Sequence, residues 1–322
     1  MNVLFLNRNF YEYDCAIKRE LIANGCQVYD YSIKAPRSAI NDFFSRIIGY
    51  KLSYGKRAME QQKKIITDLK NRDISIDYVL VVSGQELCKQ TLEELRKLYP
   101  NARFVWYIWD AMYRIKKDYK RNKSLFDDII SFDIKEAKEY NIDYLPLFFI
   151  HEIKQKQKDY DLSFIGAGYS NRDKIINGVL NKINPKKTYI FIKGTRILRL
   201  KYLFINNSVK KYIKNDTLPY QKTLEIMSRS KCILDIPYKG QSGLTIRTIE
   251  SIGLHTKLIT TNKSIREYDF YDENNIFIMD LKNNILPQED FFENEYKEID
   301  DTIFQRYNIT YWTKKILDYS KG

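Results

Sequence analysis

Short runs of apolar and β-branched residues alternate along the chain with longer polar stretches, in which apolar residues recur at helical spacing. In the first half, strands are predicted at residues 3–6, 27–31, 78–82, 104–108, 129–132 and 144–147. Predicted helices include residues 13–24, followed by Gly25, and residues 87–98, followed by Pro100. Several of the strands are apolar nearly throughout, as in a parallel sheet covered on both faces. The alternation predicts a doubly wound α/β domain.

The same alternation resumes after a polar stretch, residues 151–161, which we interpret as a linker. Beyond it, strands are predicted at residues 162–165, 189–193, 232–236, 257–260 and 276–279, and helices from about residue 171 and at residues 219–230, 245–252 and 311–319. The chain is therefore predicted to form two Rossmann-like domains, residues 1–150 and 162–300, and a C-terminal segment, residues 301–322. Two such domains are expected to enclose a cleft at the carboxyl ends of their sheets, where ligands bind.

Composition narrows the function classes. The 322 residues are 44% hydrophobic and 30% charged, which excludes disorder and suits about two domains. Four scattered cysteines and two histidines form no metal-binding motif, which argues against a zinc site and against a cysteine or serine hydrolase. No apolar run approaches the roughly 20 residues of a membrane span, and the amino terminus does not resemble a signal peptide. We expect a soluble, cytoplasmic protein, and the net charge of +13 predicts anionic partners.

The segment QSGLTIRTIESIG, residues 241–253, carries the most informative combination of residues. It follows a predicted strand, and a helix is predicted to begin near Thr245. The free N–H groups and the positive dipole end of a helix favour a diphosphate at such a position. The small residues Ser242 and Gly243 would let the backbone approach that diphosphate closely.

Two charged residues of this helix extend the interpretation. Arg247, one turn in, is placed to add a charge-assisted contact to a diphosphate. Glu250 lies three residues further on a similar face, and a carboxylate there suits the two hydroxyls of a ribose. The alternative interpretation is a helix cap with an Arg–Glu pair on the protein surface.

The segment QSGLTIRTIESIG, with the following KLITTN, resembles the donor-binding signature of bacterial GT-B glycosyltransferases that make capsule, lipopolysaccharide or spore-coat glycans. Residues 161–172, DLSFIGAGYSNR, are similar to the opening of that family's second domain, and residues 104–110, FVWYIWD, to a motif of its first. The resemblance implies that the C-terminal helix crosses back to the first domain. It also implies a nucleoside-diphosphate sugar, UDP- or GDP-linked, as co-substrate, a glycan or lipid-linked acceptor, and no cofactor or obligatory metal.

The resemblance places donor contacts in the second domain. The residues implied are Gly166, Gly168, Arg172, Lys193, Tyr220, Gln241, Ser242, Gly243, Leu244, Thr245, Arg247 and Glu250. Ser242 stands eight residues before Glu250, where the family often carries a first glutamate, so the sugar contact of that glutamate is not implied here. Gly166 and Gly168 do not form a dinucleotide fingerprint, because Asn171 replaces its third glycine, and no GxxxxGK motif occurs.

A carboxylate is the expected catalytic base, because histidine is scarce and an inverting transfer must remove a proton from the acceptor hydroxyl. Asp110 follows a predicted aromatic strand and is the first candidate, with Glu86 and Asp14 as alternatives. Asp110 could instead cap the helix predicted to begin near Tyr113. The motif Asp159-Tyr-Asp161 lies in the predicted linker, and we attribute it to chance rather than to metal binding.

Two basic stretches rich in aromatic and apolar residues, 38–57 and 196–212, suggest peripheral contact with the anionic inner membrane, although core-facing helices would show the same pattern. Two other functions stay open. The charge of +13 and the 26 tyrosines would suit a nucleic-acid-binding or RNA-modifying protein, but no nucleic-acid-binding motif is present, and we expect no nucleic acid partner. A catalytically inactive module that binds a sugar nucleotide would carry the same donor residues.

Overall fold

The computed structural model describes residues 1–10, 12–34, 50–155, 157–168, 172–194 and 208–321. The chain divides into two compact units, the first comprising Met1–Pro146 and Ile309–Gly322 and the second Leu147–Asn308. The observed boundaries differ from the predicted ones by a few residues. The N–H of Phe149 donates to Tyr307 O at 2.8 Å, and the Phe149 ring packs on Phe304 with 4.9 Å between centroids. These contacts join residues 147–150 and 301–308, which the sequence placed outside the second domain, to the second unit.

The first unit is built on a parallel sheet. Its strands are β1 Asn2–Asn7, β2 Gln27–Ser32, β3 Tyr78–Val82, β4 Arg103–Ile108, β5 Asp128–Ser131 and β6 Asp143–Tyr144. The helices of this stretch are α1 Tyr13–Ala23, α2 Tyr50–Arg72, α3 Lys89–Leu98, α4 Met112–Asn122 and α5 Ile134–Tyr140. The strand order is β2-β1-β3-β4-β5-β6, so the direction of winding reverses between β1 and β3.

The central strands of this sheet show why the sequence pattern predicted them. Every residue of β3 is buried, as are all residues of β4 except Arg103 at its start, because helices cover both faces. Strand β6 is shorter than the predicted strand at residues 144–147. Pro146 has no N–H to donate to a neighbouring strand, which is consistent with an early end to this edge strand.

The second unit contains a sheet of the same kind. Its strands are β7 Tyr160–Ala167, β8 Thr188–Lys193, β9 Ile213–Lys214, β10 Ser230–Asp235, β11 Lys257–Thr260 and β12 Ile276–Ile278. Its helices are α6 Arg172–Ile183, α7 Tyr220–Ser228, α8 Ile246–Gly253, α9 Glu289–Glu293 and α10 Asp301–Gln305. The strand order is β12-β11-β10-β7-β8-β9, and winding reverses between β7 and β10. The prediction of two doubly wound α/β units is confirmed.

The last helix, α11 Ile309–Asp318, belongs to the first unit, which confirms that the chain crosses back. Trp312 packs edge-on against Tyr107 of β4 with 4.9 Å between ring centroids. Tyr78 of β3 donates its hydroxyl to Ile316 O at 2.7 Å, across 238 residues of sequence. The helix therefore completes the core of a unit whose sheet comes from the other end of the chain.

The segment predicted as a linker packs on the second unit. Ile153 N–H donates to Gly253 O at 2.9 Å, and the Lys158 ammonium donates to Ser228 O at 2.7 Å. Burial lowers the pKa of Lys158 to about 8. The structure does not describe residues 35–49 and 195–207, which include most of the two basic aromatic stretches predicted at residues 38–57 and 196–212. Across the described ranges, none of the helices has the length and apolar character needed to cross a bilayer.

Candidate functional site

A pocket of about 310 Å³ opens in the second unit at the carboxyl ends of β10 and β11. The residues that line it come after β7, β10 and β11 in the sequence. The winding of this sheet reverses between β7 and β10. Ligands of open α/β sheets bind at such switch points. The pocket is lined by Arg172, Ile175, Ile236, Pro237, Tyr238, Lys239, Gly240, Gln241, Thr261, Asn262 and Lys263.

A buried carboxylate, Asp235, organises the backbone beside this pocket. It ends β10 and accepts hydrogen bonds from the hydroxyls of three threonines: Thr245 at 2.7 Å, Thr260 at 3.1 Å and Thr248 at 3.3 Å. Burial raises the pKa of Asp235, while Thr245 and the charge of Arg172 oppose that rise. The carboxylate thus ties the end of β10 to the end of β11 and to the start of α8.

Arg172 joins β7 to β10 at the pocket wall. Its Nε donates to Ile236 O at 2.8 Å and one Nη donates to Ala167 O at 3.1 Å. The side chain is largely buried and lies 5.9 Å from the centroid of the Phe164 ring. A Cβ on Gly166 would approach Phe164 and Arg172 at 3.0 and 3.3 Å, so glycine leaves room for this arrangement.

Helix α8 begins as predicted, with Thr245 as its N-cap residue accepting from Thr248 N–H. Arg247 donates to Ile165 O at 3.3 Å and forms an ion pair with Glu250. The cap and the Arg–Glu pair of the alternative interpretation are thus present, with the Glu250 side chain 1% exposed and that of Arg247 23% exposed. Donor contacts by these two residues stay a prediction. A ribose contact by Glu250 would require this buried pair to open.

The loop before α8 is held by its own hydrogen bonds. Gln241 Nε2 donates to Gly243 O at 3.1 Å. Asn262 Nδ2 donates to the carbonyls of Ser242 and Gly243 at 3.1 and 3.3 Å, which joins this loop to the turn after β11. Leu244 is buried. Of the predicted donor residues in this loop, Gln241 lines the pocket.

The remaining predicted donor residues lie on neighbouring elements of the same unit. Gly168 N–H donates to Lys193 O at 2.9 Å, and the Lys193 ammonium donates to the Thr217 hydroxyl. Tyr220 begins α7 and is buried, with its ring 6.0 Å from the ring of His151. None of these three residues lines the pocket among the described residues, and their role in donor binding stays a prediction.

The first unit has its own set of polar groups at its switch point, between the ends of β1 and β3. Arg8, just after β1, donates to Glu86 at 2.8 Å and to Gln85 at 2.7 Å. An aromatic cluster lies on the same edge, with the rings of Phe10 and Tyr13 at 5.4 and 6.4 Å from that of Trp109. Carboxylates and aromatic rings therefore share one edge of the sheet.

Asp110 stands at the end of β4, as predicted. Its carboxylate accepts from the Ser83 hydroxyl at 3.0 Å and from Arg114 at 3.1 Å, and its side chain is 19% exposed. Asp110 does not cap α4. The N-cap position is Ala111, and Met112 N–H donates instead to Glu136 at 2.8 and 2.9 Å. The Asp110 carboxylate is therefore partly accessible and held in place by two donors.

Glu136 was missed in the sequence pattern, where it is one of several acids in a polar stretch. Burial raises its pKa to about 7, with Met112 N–H opposing the rise. Asp235 was also missed, although a carboxylate inside the apolar run ILDIP was a usable signal. Each of these carboxylates accepts hydrogen bonds from residues at least ten positions away in the sequence, so its own neighbours in sequence do not show its role.

Asp14 lies in the first turn of α1, buried, and accepts from Phe10 N–H at 2.7 Å. Burial raises its pKa to about 6. Because the folded state binds this proton more tightly than the unfolded state, the contribution of this carboxyl to stability is greatest below about pH 4 and is lost as the pH rises through 6. We expect Asp14→Asn to raise the free energy of unfolding at pH 7.5 by about 1–3 kcal/mol. Urea unfolding at pH 4.5 and 7.5 measures this, and an unchanged pH slope in the variant would contradict it.

The two aspartates of the Asp159–Asp161 motif contact cations and backbone of their own unit. Asp159 pairs with Arg229, and Asp161 accepts from Lys187 N–H at 2.9 Å and pairs with Lys231 at 3.4 Å. In the part of the chain that the structure describes, no group of three or more histidine, cysteine, aspartate or glutamate side chains is arranged to hold a metal ion.

No family model and no curated protein matches the sequence. Among solved structures, S. aureus MnaA in a co-structure with UDP matches with a TM-score of 0.59 at 10% identity, covering 99% of this chain and 95% of that chain. The N-terminal domain of Candida albicans trehalose-6-phosphate phosphatase matches with a TM-score of 0.58 at 8% identity, covering 99% and 96%. The DNA modifying enzyme β-glucosyltransferase, solved with and without the substrate uridine diphosphoglucose, matches with a TM-score of 0.52 at 12% identity, covering 100% of both chains.

These similarities extend over nearly the whole chain, and at such low identity they establish architecture rather than chemistry. The neighbours include a glycosyltransferase, a protein bound to UDP and a domain of a phosphatase. In this chain the matched region comprises the two parallel sheets, each wound in both directions, and the returning terminal helix. The chain has the GT-B fold.

Proposed function

We propose that this protein is a glycosyltransferase that takes its sugar from a nucleoside-diphosphate donor, UDP- or GDP-linked, bound in the second unit. The observation that carries the proposal is the pocket at the switch point of that unit. Its walls carry three cations, Arg172, Lys239 and Lys263. Of these, Lys263 lies 3.4 Å from Asp280, and the Lys239 side chain is exposed. Cationic side chains beside a polar turn suit a diphosphate.

The size of the pocket supports a small ligand. About 310 Å³ is at the lower end of the range for small-molecule sites. The backbone of its walls is fixed in advance by Asp235 and Asn262, so little ordering is needed when a ligand binds. The presence of UDP in the MnaA co-structure and the substrate uridine diphosphoglucose of β-glucosyltransferase support a uridine nucleotide as the first candidate.

The acceptor is proposed to be a glycan or a lipid-linked saccharide in the synthesis of a bacterial surface polysaccharide, such as capsule, lipopolysaccharide or spore-coat glycan. Asp110 is proposed as the base that removes the proton of the acceptor hydroxyl, with Glu86 and Asp14 as alternatives on the same edge of the first sheet. Departure of the diphosphate would be stabilised by positive side chains and backbone N–H groups of the second unit. The protein is proposed to work in the cytoplasm, peripherally on an anionic membrane.

A thermal-shift screen against UDP, GDP, CDP, TDP and their sugar conjugates tests donor binding. A ligand present at 100 times its dissociation constant adds about 2.7 kcal/mol of stability. Lys239→Ala and Arg247→Ala are each expected to weaken binding of the stabilising nucleotide by about 1–3 kcal/mol, as for a lost charged hydrogen bond. Titration calorimetry with the same nucleotide measures the loss.

Lys231→Ala is the matched control, because Lys231 is a cation at the opposite, amino-terminal edge of the same sheet, where it pairs with Glu293 at 2.7 Å. It should leave nucleotide affinity unchanged. Stabilisation by no nucleotide would sink the donor proposal. Stabilisation by a short RNA alone, lost steeply with salt, would favour a nucleic-acid-binding protein instead.

A further inference from the structure

Helix α4 carries one uniformly basic face. At about 100° per residue, the exposed side chains of Lys116, Lys120, Tyr113 and Lys117 follow one another around the helix, and Arg121 and Arg114 continue the same arc to a width of about 160°. The opposite side of the helix is buried in the unit, through Met112, Ile115, Tyr119 and Asn122. We call the exposed arc the basic face of α4.

In the part of the chain that the structure describes, the lysines of this face form no ion pair. Within the described ranges, no carboxylate or hydrogen-bond acceptor contacts the ammonium groups of Lys116, Lys117 and Lys120. The exposed side of α3 is different, because its lysines alternate with acids: Lys89 pairs with Glu93 and Lys97 with Glu94, both at 3.2 Å. The basic face of α4 is therefore a local concentration of charge and not only a sample of the overall +13.

We propose that the basic face of α4 is a docking surface for an anionic lipid bilayer. From Arg114 to Arg121 the charges of this face extend over about 10 Å along the helix axis, which suits a flat layer of anionic headgroups. Tyr113, 47% exposed, lies in the middle of the arc. Tyrosine is favoured at the level of lipid headgroups, where its ring is buried and its hydroxyl stays in water.

The chemistry of the face favours a bilayer over a nucleic acid. Arginine is the side chain that recognises phosphates and bases with two parallel hydrogen bonds. Both arginines here already bind carboxylates of this chain, Arg114 at Asp110 and Arg121 at Asp118. The groups left to bind a partner are lysines, which act as point charges on a diffuse anionic surface.

The position of the face connects it to the candidate site. Helix α4 begins two residues after Asp110, so a bilayer bound to this face would lie close to the edge of the sheet that carries the proposed base. An acceptor anchored in the lipid would then meet that edge. This last step rests on the proposed function, whereas docking itself is measured without any sugar.

Co-sedimentation of the full chain with vesicles tests the proposal. We expect binding to vesicles that contain one third phosphatidylglycerol, no binding to pure phosphatidylcholine, and release by high salt. Each lysine near an anionic surface contributes about a fivefold factor to partitioning. The triple variant Lys116→Glu, Lys117→Glu, Lys120→Glu should therefore bind at least about 100-fold more weakly, and Tyr113→Ala should show a smaller loss.

The control is a triple variant with the same change in net charge at exposed lysines elsewhere, Lys187→Glu, Lys282→Glu and Lys314→Glu. It should keep most of the binding. An equal loss in both triple variants would overturn the assignment to α4, as would equal binding to neutral vesicles or displacement of the vesicles by a short RNA. The thermal shift produced by the nucleotide should be the same in the α4 variant and the parent chain, which shows that the variant is folded and separates failure of docking from failure of donor binding.

Discussion

Asp110→Asn is expected to reduce sugar transfer by a factor of about 10²–10⁴, the contribution that a positioned general base makes. Arg114 and the Ser83 hydroxyl now contact different oxygens of the carboxylate, at 3.1 and 3.0 Å. The asparagine would still accept from Arg114 through its amide oxygen, and its amide N–H would donate to the Ser83 hydroxyl oxygen. The local structure should therefore survive while the proton acceptor is lost. Release of the nucleoside diphosphate in the presence of acceptor measures transfer, and calorimetry should show unchanged nucleotide affinity.

Asp118→Asn provides the matched control, since Asp118 lies on α4 and also pairs with an arginine, Arg121, at 2.6 Å. Removing that charge should leave transfer at the parent rate. Parental turnover in Asp110→Asn would eliminate Asp110 as the base, and the same measurement on Glu86→Gln and Asp14→Asn would then decide between the two alternatives. Loss of nucleotide binding in Asp110→Asn would instead assign this residue to the donor.

Gly84→Ala should destabilise the first unit by about 2–5 kcal/mol. Gly84 has φ +71, a conformation that costs a residue with a side chain about 1–2 kcal/mol. A Cβ at this position would lie 2.3 Å from Nε1 of Trp106. The indole cannot move away without cost, because it is buried and donates to Ser83 O at 3.0 Å. Overpacking of this kind adds about 1–3 kcal/mol.

Gly25→Ala separates the two costs. Gly25 has φ +81, and a Cβ there would have no heavy atom within 4 Å, so its substitution carries the backbone cost alone. The three tryptophans of the protein are Trp106, Trp109 and Trp312, and all belong to the first unit, so urea unfolding followed by tryptophan fluorescence reports on that unit. Equal destabilisation by the two substitutions would show that Trp106 yields to the added methyl group.

Hydrophobic pattern predicted the sheets well because parallel strands covered on both faces need continuous apolar runs, as in β3 and β4. It located the domain boundaries less well. The ring centroids of Phe149 and Phe304 are 4.9 Å apart, but the pattern assigned these residues to the first domain and to the C-terminal segment. A contact between two such distant segments leaves no periodic signal in either of them.

The candidate site was predicted unevenly for a similar reason. The sequence pattern located Arg172, Gln241 and Thr245, which lie at or beside the pocket. It could do so because a turn between a strand and a helix is a local feature that is visible in the residues of the turn itself. Asp235 and Glu136 act on partners 10 to 25 and 24 residues away, and their importance depends on burial that only the assembled sheets create. The loop at residues 83–86, with left-handed conformations at Ser83, Gly84 and Glu86, had no sequence signal beyond its single glycine.

The return of α11 to the first unit has a consequence for how the chain folds as it is made. Tyr78 must wait for its partner, the carbonyl of Ile316, which is synthesised 238 residues later. At 5–20 residues per second this delay is roughly 10–50 s. During this delay the whole of the second unit, which is continuous in sequence, is synthesised, while the core of the first unit still lacks Trp312. The amino-terminal unit therefore stays without its last helix until the rest of the chain has been made, and the part of its core that this helix covers is the surface that a chaperone would protect in the meantime.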